Sequence, residues 1–402
     1  MLRCLQARIC PNDEQLIQHL LTAELNWESI GATALRWGVA PLFYYNLRNL
    51  APNLPYPVLQ DLAMAYLIAS AQNALRFSDL REALTALRTA GIEVIALKGA
   101  ALAETVYPNR SARPMSDVDI LVRRENLAGA RDILLSMGYI SSSPLTAEAQ
   151  TQISHHIQPL VSPRRTIVEV HWTLARPDRP FKPDLDGLWQ RSRPTAIADV
   201  PARVLGAEDT LVYLSLQAAE DRFVRALKYL CDIAQVVDRY HDELNWRAVT
   251  ERARSWRARH SVYLALRLSR ELLRAEVPDE TLDTLKPAAF DVTLLSWATD
   301  RLLHEGEEAR SLGPRFMRAW NAPTWRERGR SLAAMLFPPR DVVADQYHVR
   351  PDSVRVYWFY LVRLKDELKR TWRAGIRLLM REPAWTEAAE QNRLLAEWLE
   401  SA

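Results

Sequence analysis

Two aspartates separated by one residue lie in an apolar segment, Ser116-Asp117-Val118-Asp119-Ile120-Leu121-Val122. Successive side chains of a β-strand alternate between its two faces, so Asp117 and Asp119 point to the same side. Val118 and Ile120 then point to the other side, where they can be buried. Two carboxylates held this close repel each other unless a cation lies between them, and Mg²⁺ prefers oxygen ligands. The segment therefore predicts a metal site.

The surroundings of this aspartate pair distinguish it from a chance pattern. In a chain of this composition about six acidic-x-acidic triplets are expected by chance, and most of them are solvated surface pairs. This pair lies in an apolar strand and follows a second apolar run, Ile92–Leu97, which ends in Lys98-Gly99. The alternative is an exposed pair at a sheet edge, but the apolar context favours a site.

A third carboxylate lies in the apolar run Ile167–Trp172, where Glu169 is the only acid. Two-metal phosphoryl transfer needs more than two acidic side chains, and an acid within a buried strand costs stability unless it is paired or binds a metal. The alternative is a salt bridge to Arg164 or Arg165 across the preceding turn. His171 shares the face of Glu169, where it would contact a nucleotide, orient a carboxylate or serve only structure.

The elements that must position these residues follow from periodicity. Apolar residues recur in the helical rhythm over Val58–Ala90, and Gly91 provides a C-cap. Further along, strand and helix patterns alternate: a strand at 92–97, a helix at 100–106, the aspartate strand, a helix at 126–137, and a hairpin of 155–161 with 166–174. This order predicts an α+β protein whose small mixed sheet, at 91–175, lies between helical regions at 1–90 and 176–402.

Composition limits the classes of protein to which the chain can belong. It has 402 residues, 48% of them hydrophobic and 25% charged, with a formal net charge of +3. This charge requires no nucleic-acid partner. Cys4, Cys10 and Cys231 form no CxxC pair, and no run approaches the roughly 20 apolar residues of a membrane span. A cytoplasmic protein is therefore expected.

Two features of the C-terminal half have alternative interpretations. Asp232, in an otherwise apolar helical stretch, faces the cleft or pairs with Lys228 one turn away, and the pair is favoured. The segment 354–380 is basic and amphipathic, so it makes a peripheral membrane contact or is the solvated face of a packed helix, which is more common. Its basic residues are Arg363, Lys365, Lys369, Arg370, Arg373 and Arg377.

Several motifs together resemble a known family. They are Leu97-Lys98-Gly99, the segment Arg113–Val122, Glu169-Val170-His171-Trp172, and flanking pieces at Val39–Leu42 and Leu230–Asp232. This set, over roughly residues 30 to 240, resembles the uncharacterised bacterial nucleotidyltransferases of the polymerase-β superfamily. The resemblance implies a polymerase-β-like core with Asp117, Asp119 and Glu169 as catalytic metal ligands for Mg²⁺, or Mn²⁺ in its place.

The resemblance also implies a nucleotide site. Gly99 marks the phosphate-binding turn, since glycine lets backbone N–H groups approach a phosphate at a helix N-terminus. Ala100 stands where the superfamily places a serine, and the gap from Gly99 to Asp117 is longer than usual. Candidates to replace the serine are basic residues, which bind phosphate directly. The nucleotide-binding candidates are Lys98, Gly99, Ala100, Arg110, Arg113, Ser116 and His171.

The predicted activity is transfer of a nucleoside monophosphate group from a nucleoside triphosphate, ATP by default, to an acceptor hydroxyl. The acceptor is a small molecule, a protein or an RNA. One alternative is a catalytically weak or inactive member of the same fold that binds nucleotide or a protein partner, and Ala100 keeps it open. Another is a toxin that modifies RNA.

Overall fold

A computed structural model describes most of the chain. The residues that it describes are 1–7, 9–21, 25–48, 50, 56–141, 146–152, 154–220, 222–224, 226–288, 290–303, 324–338, 340, 343, 347, 349, 353–380 and 382–401. The sequence predicts breaks in the N-terminal helices near Pro41 and at the cluster Pro52, Pro55 and Pro57, of which Pro52 and Pro55 lie outside these residues.

The N-terminal region is helical, as its apolar periodicity predicts. Its helices are α1 (Pro11–Leu21), α2 (Trp27–Arg36), α3 (Ala40–Leu47) and α4 (Tyr56–Thr89). The long helix expected at residues 58–90 is confirmed by α4. Gly91 ends this helix with a positive φ of 75°, a backbone conformation that glycine adopts without steric cost.

A mixed sheet forms the middle of the protein. Its strands are β1 (Ile95–Ala96), β2 (Val118–Leu121), β3 (Ile140–Ser141), β4 (Leu160–Val161), β5 (Ile167–His171), β6 (Arg193–Ile197) and β7 (Val200–Val204). Their order across the sheet is β3-β4-β5-β2-β1-β7-β6. The neighbours β2 and β5 are parallel, as are β1 and β7, whereas the remaining pairs are antiparallel. The predicted α+β class is confirmed.

The sheet continues beyond residue 175, where the sequence places the end of the core. The hairpin of β6 and β7 joins the sheet because β7 runs parallel to β1, with Ala96 opposite Val204. Within the same part of the chain are the helices α5 (Lys98–Thr105), α6 (Leu127–Ser136), α7 (Ala147–Thr151) and α8 (Leu185–Arg191). The helices expected at 100–106 and 126–137 are therefore present.

The C-terminal region returns to helices. They are α9 (Ala207–Glu220), α10 (Leu227–Arg239), α11 (Trp246–Ser255), α12 (Arg259–Leu273), α13 (Asp279–Leu285), α14 (Val292–Leu303), α15 (Trp325–Leu336), α16 (Arg355–Leu379) and α17 (Pro383–Glu400). Helices α9, α10 and α12 pack on one another. Among the described helices, none is both long enough and apolar enough to cross a membrane.

The two faces of the sheet lie in different apolar clusters. Val118 and Ile120 point into a cluster that includes Phe77, Leu80, Leu84 and Leu87 of α4 and Leu134 of α6. Ile95 and Leu121 point to the opposite face, into the cluster built by α9, α10 and α12. This alternation follows from the pleat of the strands. Consequently, any side chain that shares the face of Leu121 is directed towards the C-terminal helices.

The basic segment at 354–380 coincides with α16. Within it Arg363 is buried, with 4% of its surface exposed, so at least one of its cations is not on a solvated face. The side chains of Lys369, Arg370 and Arg373 lie outside the described part of the structure. Peripheral membrane contact through this segment stays a prediction.

Candidate functional site

Strand pairing brings the predicted acids together. In the parallel ladder of β2 and β5, Asp119 lies directly opposite Glu169, and Leu121 lies opposite His171. Because residues two apart share a face, Asp119, Glu169 and His171 all project towards the C-terminal helices. One oxygen of each carboxylate and one ring nitrogen of His171 lie within 4.8 Å of one another. These groups form the centre of the candidate site.

Asp117 lies at the entrance of this site, one residue before β2 begins. It is half-buried, and it accepts a hydrogen bond from the Ser116 hydroxyl at 3.1 Å. Burial raises the pKa of Asp117, and the negative charges of Asp119 and Glu169 raise it further. This repulsion shows that the three carboxylates share one electrostatic environment, as the pattern of alternating aspartates predicts.

Asp119 is held by two basic groups. Its Oδ1 accepts hydrogen bonds from Lys98 Nζ at 3.0 Å and from His171 Nε2 at 2.8 Å. Burial by itself would raise the pKa of Asp119, but the charges of Lys98 and His171 outweigh it and lower the pKa. Burial lowers the pKa of Lys98, but Tyr213 and Asp119 raise it by more, so this pKa lies well above its ordinary value. Asp119 is therefore ionised and Lys98 is charged.

Imidazoles surround the third acid. Glu169 Oε2 lies 3.5 Å from His171 Nε2 and 3.8 Å from His156 Nε2. Burial opposes ionisation of Glu169, yet the hydrogen bond from His171 and the charge of His156 lower its pKa. The turn arginine Arg164 pairs instead with Asp79, at 2.6 Å, so the alternative of a salt bridge between Arg164 and Glu169 is wrong. The reason is that α4 lies beside this turn and offers a buried carboxylate.

The donor set fits a divalent cation. Three neighbouring carboxylates are a hard-oxygen ligand set, and the charges of Asp119 and Glu169 add to the effect of burial in raising the pKa of Asp117. Lys98 and His171 each form an ion pair with Asp119, and these pairs balance part of its negative charge. In the described part of the structure the group that could hold a cation is Asp119, Glu169 and His171; Asp117 lies outside this group, so its role as a metal ligand stays a prediction.

The predicted phosphate-binding turn lies beside this centre. Helix α5 begins at Lys98, whose φ of 41° is in the left-handed region that residues with a Cβ rarely adopt. The N–H of Leu97 donates to the Asp119 carbonyl, which ties the turn to β2. Ala100 is 1% exposed and packs in the apolar cluster on the α4 side of the sheet. Its side chain therefore lies in the core.

Gly99 has a steric reason to be glycine. A Cβ built on Gly99 would lie 2.7 Å from Cγ of Met115, closer than non-bonded carbons approach. We expect Gly99→Ala to lower the free energy of unfolding by about 1–3 kcal/mol, as overpacking of a core does. Chemical denaturation measures this change. The double variant Gly99→Ala/Met115→Ala should lose less free energy of unfolding than the sum of the losses of the two single variants. Strict additivity of the two losses would contradict the steric explanation.

The two loop arginines have partners within the protein. Arg110 donates to both carboxylate oxygens of Glu104, at 2.6 and 2.7 Å, and lies over the Phe77 ring. Arg113 is buried and donates to both oxygens of Asp232, at 2.6 and 2.7 Å. The loop that carries them is fastened to α4, because Asn73 donates to the carbonyls of Arg110 and Arg113.

The partner of Asp232 differs from the one that the sequence predicted. In the described part of the structure the favoured partner, Lys228, forms no ion pair with Asp232. Asp232 binds Arg113 and also accepts a hydrogen bond from the Tyr107 hydroxyl at 2.7 Å. The interpretation is wrong because Asp232 points away from solvent, towards the sheet, where it is fully buried. The other interpretation, that Asp232 faces the cleft, stays a prediction.

Lys228 is a site residue that sequence reasoning did not single out for function. It is the second residue of α10, and the charges of Asp117 and Asp119 both act on it. The positive charge of Arg113 and burial lower its pKa to about 8. Its only signal in the sequence was its place one turn before Asp232. Lys98 and Lys228 therefore bring positive charge to the carboxylates from the core and from the C-terminal helices.

Comparisons with known proteins agree with this geometry. A family model described as an uncharacterised nucleotidyltransferase matches residues 23–274, more than half of the chain. The matched part contains every described strand of the sheet and the helices from α2 to α12. No curated protein and no solved structure matches the chain.

Proposed function

Because the chain belongs to the uncharacterised nucleotidyltransferase family, we propose that it is a Mg²⁺-dependent enzyme that transfers a nucleoside monophosphate group. The donor is a nucleoside triphosphate, ATP by default, and the acceptor is a hydroxyl of a small molecule, a protein or an RNA. The observation that carries the proposal is the register of β2 and β5, which sets Asp119 opposite Glu169 on one face.

Asp117, Asp119 and Glu169 would hold the metal, with Mn²⁺ as a substitute. A bound Mg²⁺ supplies positive charge to the phosphates and to the pyrophosphate leaving group. The burial of Asp119 and His171 keeps water from these groups, which strengthens each electrostatic interaction. The cytoplasmic location expected from the cysteines is part of this proposal.

Two lysines are suited to bind the triphosphate. Lys98 already lies 3.0 Å from Asp119, so a phosphate bound at the same carboxylates falls within reach of its ammonium. Lys228 approaches from α10 and is exposed enough to meet a ligand. We assign the backbone at Gly99 and Ala100 to a phosphate, and Ser116 to the entrance. Arg110 and Arg113 are assigned positioning roles, because Glu104 and Asp232 already occupy their donors.

Glu169 is the candidate general base. Its lowered pKa keeps it ionised, and it lies beside the partly exposed edge of the site. In the proposed reaction the acceptor hydroxyl gives its proton to Glu169 while its oxygen attacks the α-phosphorus. The bond from that phosphorus to the bridging oxygen breaks, and pyrophosphate leaves with the electron pair. His171 holds Asp119 and Glu169 in place by hydrogen bonding to them.

The experiment that tests the proposal is a search for the acceptor. Purified protein is incubated with Mg²⁺, nucleoside triphosphates labelled at the α-phosphate and fractionated cell extract. Label should enter one class of acceptor, and pyrophosphate should be released in equal amount. If no fraction takes up label while the same protein binds Mg-ATP tightly by calorimetry, the chain is a nucleotide-binding member of the fold without transfer activity. Ala100 is buried in the core and has no hydroxyl with which to bind a phosphate, which favours that second candidate.

Lys228 gives the proposed nucleotide affinity a pH dependence. The pKa of this lysine lies below its ordinary value, at about 8, so its charge disappears as the pH rises through that value. Since triphosphate binds the charged form, the affinity for Mg-ATP should fall by about tenfold from below to above this pH, the contribution of one charge-assisted contact. Isothermal titration across this range measures it. In Lys228→Gln the affinity for Mg-ATP should be low at every pH and should not fall with rising pH. If the same fall appeared in Lys228→Gln, Lys228 would not be part of the nucleotide site.

A further inference from the structure

The middle of helix α4 carries an apolar surface that the proposed transfer reaction leaves without a role. Met64, Leu67, Ile68 and Leu75 keep 51%, 61%, 48% and 53% of their surfaces exposed. Ala71 is exposed between them. Their spacing follows the turns of a helix, so the five residues lie along one side of α4. We call this set the α4 stripe.

Charge is absent from the α4 stripe and from the residues within it. Between Leu62 and Leu75 the sequence has no charged residue, whereas Asp61 and Arg76 place charges of opposite sign at the two ends. In the described part of the structure neither of them forms an ion pair, and Arg76 donates to Gln72 at 3.3 Å. Each end of the stripe therefore offers one charge to a partner.

This distribution of charge does not suit a membrane surface. Helices that lie on anionic lipid have Lys and Arg around their polar face. Among the exposed residues of α4 from Pro57 to Leu75, Asp61 is the only charged one, and it is acidic. Lipid would therefore attract the α4 stripe through its apolar groups alone.

The arrangement of apolar groups and charges is complementary to itself. The midpoint between Asp61 and Arg76 lies just after Ile68, and the midpoint of the α4 stripe lies about one residue further along the helix. If a second α4 packs antiparallel about a two-fold axis at this point, Met64 faces Leu75 of the partner subunit and Asp61 lies near Arg76 of the partner subunit. A parallel pair would place like charges together at both ends, where they repel.

The α4 stripe is large enough for a reversible dimer. Its four large side chains expose on the order of 400 Å² in each copy, the size of apolar patches that are often functional. A pair would bury on the order of 800 Å² of apolar surface, and the exposed Gln60, Gln72 and Ala74 beside it bring the total towards about 1,200 Å², the lower limit of specific interfaces. The small side chain of Ala71 near the centre lets the two helices approach closely.

We propose that the α4 stripe is the contact between two copies of this chain, packed antiparallel about a two-fold axis near Ile68. Burial of the apolar side chains drives the association. Two ion pairs, each between Asp61 and Arg76 of the partner subunit, set the direction of packing. An interface of this size gives a weak dimer, with a dissociation constant on the order of 10 µM.

Sedimentation velocity of the full-length protein tests the dimer. Wild type should change from monomer to dimer between about 1 and 100 µM. Ile68→Glu places a charge at the two-fold axis, so it should stay monomeric over this range. Val292→Glu changes a residue of α14 that is 70% exposed and lies outside the stripe, and it should dimerise as wild type does. Wild type that stays monomeric, or Ile68→Glu that dimerises like wild type, would overturn the proposal.

Exchange of the terminal charges tests the antiparallel direction. Asp61→Lys alone and Arg76→Glu alone bring like charges together at both ends of the interface, so each should dimerise at least about tenfold more weakly. An equal mixture of the two variants should recover the wild-type affinity, because every contact then joins one basic and one acidic side chain. A mixture as weak as its components would exclude this arrangement. The charge of Asp117 acts on Arg76, so the unfolding transition of each variant is recorded as well.

Vesicles distinguish a second copy from a lipid surface. Wild type should remain in solution when vesicles of phosphatidylcholine and phosphatidylglycerol are pelleted. Binding to the vesicles that Ile68→Glu abolishes would assign the α4 stripe to lipid and overturn the dimer. None of these results bears on nucleotide transfer, which the labelling experiment measures.

Discussion

Replacing Asp119 with asparagine is expected to lower the rate of nucleotide transfer on the order of 10³-fold, because a metal ligand contributes several kcal/mol to transition-state stabilisation. Asp119 is the most buried of the three acids, with 3% of its side chain exposed, and it contacts both Lys98 and His171. An amide cannot carry the charge that balances these groups. Pyrophosphate release at saturating Mg-ATP measures the change.

Folding must be separated from catalysis in this experiment. The substitution leaves the positive charge of Lys98 with less compensation, so the unfolding transition of Asp119→Asn has to be recorded beside its activity. Asp117→Asn is a second test of the metal assignment. Asp117 is half-buried and pairs with no cation in the described structure, so its loss should disturb folding less. The control is Asp242→Asn, an exposed aspartate outside the site. Full activity in a folded Asp119→Asn or Asp117→Asn protein would refute the metal assignment.

Replacing Asp232 with alanine is expected to lower the free energy of unfolding by about 3–5 kcal/mol, the cost of leaving one partner of a buried ion pair alone. Arg113 and Asp232 are 3% and 0% exposed, and two hydrogen bonds of 2.6 and 2.7 Å join them. The variant would leave the Arg113 guanidinium and the Tyr107 hydroxyl without this acceptor. Because the pair joins the sheet domain to α10, the loss should affect the cooperative unfolding of both.

Chemical denaturation measures this loss, and two comparisons interpret it. Asp279→Asn removes an exposed partner of Arg270 and should not change stability measurably. The double variant Arg113→Met/Asp232→Leu replaces the whole pair with apolar groups, and it should recover most of the stability that Asp232→Ala loses. A loss in Asp232→Ala no larger than in Asp279→Asn would show that the pair does not hold the two regions together.

Local pattern accounts for much of the fold. The apolar rhythm of α4 and the positive φ of Gly91 are properties of one segment, and the structure confirms both. The strand predicted within Ser116–Val122 is likewise confirmed by β2. The family resemblance, drawn from motifs between residues 30 and 240, is confirmed by the match to residues 23–274. The hairpin of β6 and β7 was not predicted as part of the sheet, because its membership depends on β7 pairing with β1 about a hundred residues earlier.

The candidate site was likewise predictable from the sequence only in part. The side-chain types and the two-residue spacing of Asp117, Asp119, Glu169 and His171 were readable from sequence, because a strand places alternate residues on one face whatever its surroundings. The sequence did not show which basic residue pairs with which acid. Arg164 binds Asp79 of α4 and not Glu169, because the packing of α4 beside the turn offers it a carboxylate that is distant in sequence.

The aspartate pair, taken with its apolar surroundings and with Glu169, predicted a carboxylate site on one face of a strand. Only the tertiary structure decided that Lys98 and His171 neutralise Asp119, that Lys228 faces the same acids, and that Asp232 holds Arg113. The physical reason is distance along the chain. Arg113 and Asp232 are 119 residues apart, and a buried charge takes whichever partner the packing of sheet and helices brings to it.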